Sequence, residues 1–129
     1  MKQIITFIVS GLLLVVFALP ASAMSPNQMK QVLNMTQSNW VSFRDFNGKQ
    51  LIYFTHLESY TCGIKEVRYS INSDDLDKVW ELQPCDTKNP MAVTKDIIYL
   101  AMPRGTAKSI AVQVTFADGT KSEIVHKNP

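Results

Sequence analysis

The chain has 129 residues, with 13 Lys and Arg against 11 Asp and Glu, a formal net charge of +2 at pH 7. The two signs are interspersed and no basic stripe is present to neutralise phosphates, which argues against a nucleic-acid partner. After the first 23 residues no long apolar run occurs, so neither a membrane span nor a membrane surface is expected of the mature chain, which should be soluble.

The start reads as an export signal. Met1-Lys2-Gln3 is short and positive, Ile4 to Leu19 is almost wholly apolar, and Pro20-Ala21-Ser22-Ala23 supplies a helix breaker and small residues at both key positions of an A-x-A site. The apolar run is about 16 residues, short of the roughly 20 needed to cross a bilayer. Residues 1–23 are thus expected to be a signal peptide, cleaved between Ala23 and Met24, and the product should be periplasmic or secreted. No Cys follows the site, which argues against a lipid anchor. The remaining 106 residues suit one domain, with 24–39 as a short leader helix and 40–129 as its β part.

Ser25-Pro26-Asn27-Gln28 has the form of a capping box with proline in the first turn, and Met29, Val32, Leu33 and Thr36 recur at helical spacing. This predicts a helix ending near Gln37 or Ser38. Trp40 to Phe46 is rich in aromatic and β-branched residues, and Asn47-Gly48 is a strong signal for a type I′ hairpin turn. Gln50 to Leu57 reads as a strand buried on both faces, being apolar at both parities. Ile64 to Ile71 alternates, with Val67, Tyr69 and Ile71 inward and Glu66, Arg68 and Ser70 outward. Asn72 to Asp75 reads as a turn and Lys78 to Leu82 as a short strand, with a helical turn from Ser73 as the rival. Gln83 to Lys95 is a loop. Asp96 to Met102 is a strand stopped by Pro103 and Gly105. Ser109 to Phe116 alternates most clearly, Asp118-Gly119 turns it, and Lys121 to Lys127 returns.

About seven short strands with turn signals every eight to fifteen residues predict a mostly β chain, an antiparallel sandwich behind a short N-terminal helix. In strand number and length, Trp40 to Lys127 resembles immunoglobulin-like and fibronectin type III-like sandwiches. It departs from the immunoglobulin pattern in its cysteine spacing and in having no Trp at the core position between them. The resemblance is one of architecture and implies no activity.

Cys62 and Cys85 are the only cysteines, and an even count in an oxidising compartment predicts a disulfide. Closing a loop of about 24 residues is worth about 3 kcal/mol. Tyr60 lies beside Cys62 and Trp80 near Cys85, so the bridge would bring these rings towards one another. An exposed Tyr60/Trp80 patch on a cross-linked loop is one candidate binding surface; burial of both rings over the disulfide is the plainer alternative.

No catalytic motif stands out. His56 and His126 are isolated, Ser59 lacks a nucleophile elbow, and His56 reads as a histidine packed at a strand end. Neither histidine belongs to a metal-binding pattern, and Met24, Met29 and Met35 lack the flanking His or Cys that a copper site needs. Asn72 to Asp77 has acidic residues but not the spacing or glycine of a calcium loop. No cofactor or metal is therefore expected. The leading expectation is a non-catalytic binding module of the bacterial cell envelope, with an unidentified protein or envelope component as partner. A small hydrolase or metal-dependent enzyme using His56, and a protein inhibitor acting through the rigid loop Gln83 to Lys95, are the alternatives.

Overall fold

The computed structural model describes Gly11 and residues 24–129. The leader (Gly11 apart) and its cleavage site lie outside the described residues. In chain order the elements are α1 (Pro26–Met35), a 3-10 turn (Gln37–Asn39), β1 (Ser42–Phe46), β2 (Lys49–Tyr53), α2 (Thr55–Ser59), a second 3-10 turn (Thr61–Gly63), β3 (Ile64–Ile71), β4 (Lys78–Trp80), β5 (Tyr99–Pro103), β6 (Ile110–Phe116) and β7 (Val125–Lys127). The fold is mostly β. Its seven strands among the described residues form two antiparallel sheets, ordered β1-β2-β5 and β4-β3-β6-β7.

Local chemistry sets several elements as the sequence predicts. Ser25 caps α1, with its hydroxyl accepting from the Gln28 amide while the Gln28 side chain accepts from the Ser25 amide. The helix stops at Met35, a turn earlier than its apolar spacing implies, because the chain tightens into the 3-10 turn that swings Trp40 inward. There Trp40 is fully buried and its Nε1 donates to Leu33 O at 2.9 Å. Asn47 and Gly48 both take positive φ, +52° and +73°, and β1 and β2 pair in register through that turn.

Both sheets contribute to one apolar cluster, which contains Ile52 from β2, Val67 and Tyr69 from β3, and Ile110, Val112, Val114 and Phe116 from β6. Gln50 is buried among them. Its amide bonds Ala107 in both directions, donating to Ala107 O at 3.0 Å and accepting from Ala107 N at 2.8 Å, so no polar atom is stranded. Helix α1 packs on the turn at Gly63, where a Cβ would stand 2.6 Å from Met29 Cβ.

Four expectations need correction. The strand from Gln50 stops at Tyr53, and Thr55–Ser59 is helical: Phe54, Leu57 and Glu58 sit at helical spacing and all three are buried. Asp96 to Ile98 stay outside β5. The last strand is confined to Val125–Lys127, preceded by a lone bridge between Thr115 and Lys121. Ser70 takes an outward position in β3 yet is completely buried. Between β3 and β4 the chain makes bends, not a helical turn.

Candidate functional site

Between β4 and β5 the chain runs from Glu81 to Ile98 without a helix or strand. Irregular segments of this length in a small domain are commonly functional when ordered. Order here comes from α2. The short helix buries Glu58 completely, and an ionised carboxylate in that position is tolerated only if it is paired and hydrogen-bonded. Its Oε1 accepts from Trp80 Nε1 at 2.8 Å and from Lys95 Nζ at 3.3 Å, and its Oε2 accepts from the Gln83 amide at 3.0 Å.

Gln83 then braces the segment from inside. Its Nε2 donates to Ala92 O at 2.6 Å, and its Oε1 accepts from the backbone amides of Thr94 and Lys95 at 2.9 and 3.3 Å. Thr61 Oγ1 donates to Gln83 O at 2.7 Å. Lys95 Nζ also donates to Glu81 O and lies 4.2 Å from the centre of the Trp80 ring. The Cys62–Cys85 disulfide is present, with Cα atoms 4.8 Å apart, and ties the segment a third time to the turn that follows α2.

What these ties leave outside is Pro84 to Met91, whose residues are exposed apart from a half-covered Pro90. Asp86 shapes its tip: Oδ1 accepts from the Lys88 amide at 2.9 Å, and Asp86 O accepts from the Asn89 amide at 3.2 Å. Two hollows flank it. One, of about 350 Å³, opens where the chain leaves β4 after Trp80, between Lys65 and Glu66 on one side and Glu81 to Gln83 on the other, with Cys85 on its wall. The second, of about 560 Å³, lies between Gln28, Gln31 and Val32 of α1 and Met91.

The residues singled out from sequence fall in different places. Trp80 is 8% exposed and stacks on Phe54 with ring centres 4.2 Å apart and planes within 6°. Tyr60 is half-buried and tilts against His56, ring centres 5.1 Å apart. With Trp80 in the core, the two rings present no joint exposed face. His56 lies on α2, and its Nε2 is 2.9 Å from Thr36 Oγ1. The Thr36 hydroxyl has one proton, which goes to Val32 O at 2.7 Å, so His56 Nε2–H must be the donor and Nδ1 is the unprotonated nitrogen of the neutral ring. Burial holds the His56 pKa below the ordinary 6.5. His126 stands on β7, 2.7 Å from Asp74. Met29 is fully buried, against Gly63. Among the described residues no three His, Cys, Asp or Glu side chains converge as metal ligands, and no helix is long and apolar enough to cross a membrane.

Sequence reasoning missed Glu58, Gln83 and Lys95 as a unit. The available signal was slight: an acid four residues after Phe54, at helical spacing, and next to Leu57. Compared with protein-family models, curated proteins and solved structures, the chain matches none of them.

Proposed function

We propose that this protein is an exported, non-catalytic binding module, a sandwich of immunoglobulin or fibronectin type III kind, and that it engages a protein or another component of the bacterial cell envelope through Pro84 to Met91. The observation that carries this reading is the triple fastening of that segment, by the Glu58 carboxylate, the Gln83 amide and the Cys62–Cys85 bridge. A segment held in one shape before contact loses little conformational freedom on binding, so more of the contact energy appears as affinity. Export rests on the tripartite leader and is consistent with an oxidised cysteine pair. Tyr60, half-buried next to the bridge, extends the surface, while Trp80 is packed in the core.

The inhibitor reading draws on the same rigid segment. The Asp86–Asn89 turn counts against it, since the segment bends at Lys88 where a substrate-mimicking loop would be extended. The enzyme reading has less support: His56 Nε2 is committed to a hydroxyl, with no acid orienting it.

The test is cross-linking of the mature protein to envelope fractions of its native host. Alanine at Thr87, Lys88 and Asn89 together should abolish the specific adduct and leave Tm unchanged, because these side chains are exposed and make none of the fastening contacts. An undiminished adduct with the triple variant would reject the segment as the binding surface.

A further inference from the structure

The alternation of β3 places Glu66, Arg68 and Ser70 on the outer face of the four-stranded sheet, and that of β6 places Ala111, Gln113 and Thr115 there. Ser70 pairs with Ala111, and Ala111 with His126 of β7, so the three form one row across the face. Outward positions of this kind meet water, yet Ser70 is 0% and Ala111 1% exposed.

The cover is the chain itself. Leaving β3, the segment Asn72–Leu76 folds back over the row. Ser70 Oγ donates to Ser73 O at 2.5 Å. Asp74 reaches beyond β6 to place Oδ1 2.7 Å from His126 Nε2, and Arg68 Nη1 donates to Leu76 O at 3.4 Å. One end is fixed: the Asn72 side chain donates to Thr106 O at 2.9 Å and accepts from the Lys108 amide at 2.7 Å. Both ends take left-handed backbone, φ +58° at Asn72 and +48° at Leu76. Asparagine adopts this region readily; leucine does so only when its surroundings impose it.

We infer that Asn72–Leu76 is a strap, latched by the Asp74–His126 hydrogen bond, that closes over a floor of small side chains at Ser70 and Ala111 and opens as a unit about Asn72. The strained Leu76 favours opening and the latch favours closure. Both latch side chains are more than half exposed, so water competes for the contact and it is modest. The small side chains at the floor leave room for the segment to lie down. Opening would bare Ser70 and Ala111 beside His126. The strap shares none of the Glu58 contacts and does not depend on the proposed binding segment.

The test places a reporter thiol under the strap. Cys62 and Cys85 are paired and the chain has no other cysteine, so Ala111→Cys adds the single reactive thiol. Its alkylation by iodoacetamide should be far slower than that of Val79→Cys, an outer-face position 53% exposed. Adding Asp74→Asn should speed it about two- to fivefold, the range expected when an exposed hydrogen bond loses its charged acceptor. His126→Gln should add nothing further to Asp74→Asn. Alkylation of Ala111→Cys at the rate of Val79→Cys, or no response to Asp74→Asn, overturns the strap. Should Ala111→Cys fail to fold, amide exchange without that substitution decides. Asp74→Asn must accelerate exchange at Ser73 to Leu76 while leaving Gln113 and Val114 unchanged; equal exchange at Ser73 to Leu76 in both proteins rejects the latch.

Discussion

The β1–β2 hairpin and the corner around Glu58 are held by opposite means. Across the hairpin turn the pairing is between near neighbours: Phe46 meets Lys49, Asp45 meets Gln50, and the turn between them follows from two residues that accept positive φ. At the corner, Glu58 is bonded to residues 22, 25 and 37 positions away. Short-range pairing costs little loop entropy and can form alone. The corner needs β4, α2 and the Glu81–Ile98 segment in place together, because a buried carboxylate with partners missing is worse than none. Substitutions at the corner should therefore damage more than their own contacts, whereas damage at the hairpin should stay local.

The largest effect is expected at Glu58. Glu58→Ala removes the acceptor for Trp80, Gln83 and Lys95 at once, and should cost about 3–4 kcal/mol, the lower part of the range for broken buried pairs, since Lys95 keeps a solvent-facing side. Urea unfolding would measure the loss, and amide exchange at Thr94 and Lys95 should quicken even where the sheets stay protected. If those amides keep their protection, the carboxylate is not what orders the segment. Next, Cys62→Ser with Cys85→Ser should cost about 3 kcal/mol by releasing a loop of about 24 residues in the unfolded chain. That loss should appear mainly as global stability, with the exchange pattern of the segment retained, because Glu58 and Gln83 fasten it independently of the bridge.

Two glycines set the corner against the hairpin at smaller scale. Gly63→Ala would drive a Cβ to 2.6 Å from Met29 Cβ, an atom fixed to the α1 backbone, so the helix must shift. A cost of about 1–3 kcal/mol is expected, as for other overpacked sites. Gly48→Ala meets nothing within 4 Å, and only its φ of +73° resists the side chain. About 1–2 kcal/mol is expected there, from the left-handed backbone alone. Thermal unfolding of both variants would check the order; a larger loss at Gly48 would reverse the contrast.

The same contrast explains what could be read from sequence. The Ser25 cap, the Asn47-Gly48 turn, the alternation of Ile110 to Phe116 and the pairing of two cysteines are signals carried within a few residues or by simple counting, and each appears in the fold. Thr55–Ser59 has no side-chain cap, and only its tertiary partners make it helical. Alternation puts Ser70 outside the sheet correctly but cannot foresee that the following turn will lie over it. Trp80 and Tyr60 stand near the cysteines in sequence, but which ring faces solvent depends on where Phe54 and Glu58 sit, and that is decided by the corner as a whole.

The smallest effect concerns acid. Burial depresses the His56 pKa in the folded protein below the 6.5 of an unfolded chain. Between those two values the unfolded state binds more protons, so stability rises with pH in that window. The contribution of neutral His56 is complete above about pH 6.5 and is lost as pH falls towards the folded-state value. Half-burial keeps the term small. His56→Gln, which retains a donor for Thr36 Oγ1 and cannot titrate, should flatten the dependence of the urea midpoint on pH between 7 and 5 relative to the parent. The change belongs to the corner, since His56 joins α2 to the end of α1, while no histidine lies in the hairpin. Identical slopes in the two proteins would mean that the ring protonates as easily folded as unfolded, and that its contact with Thr36 is too open to hold one tautomer.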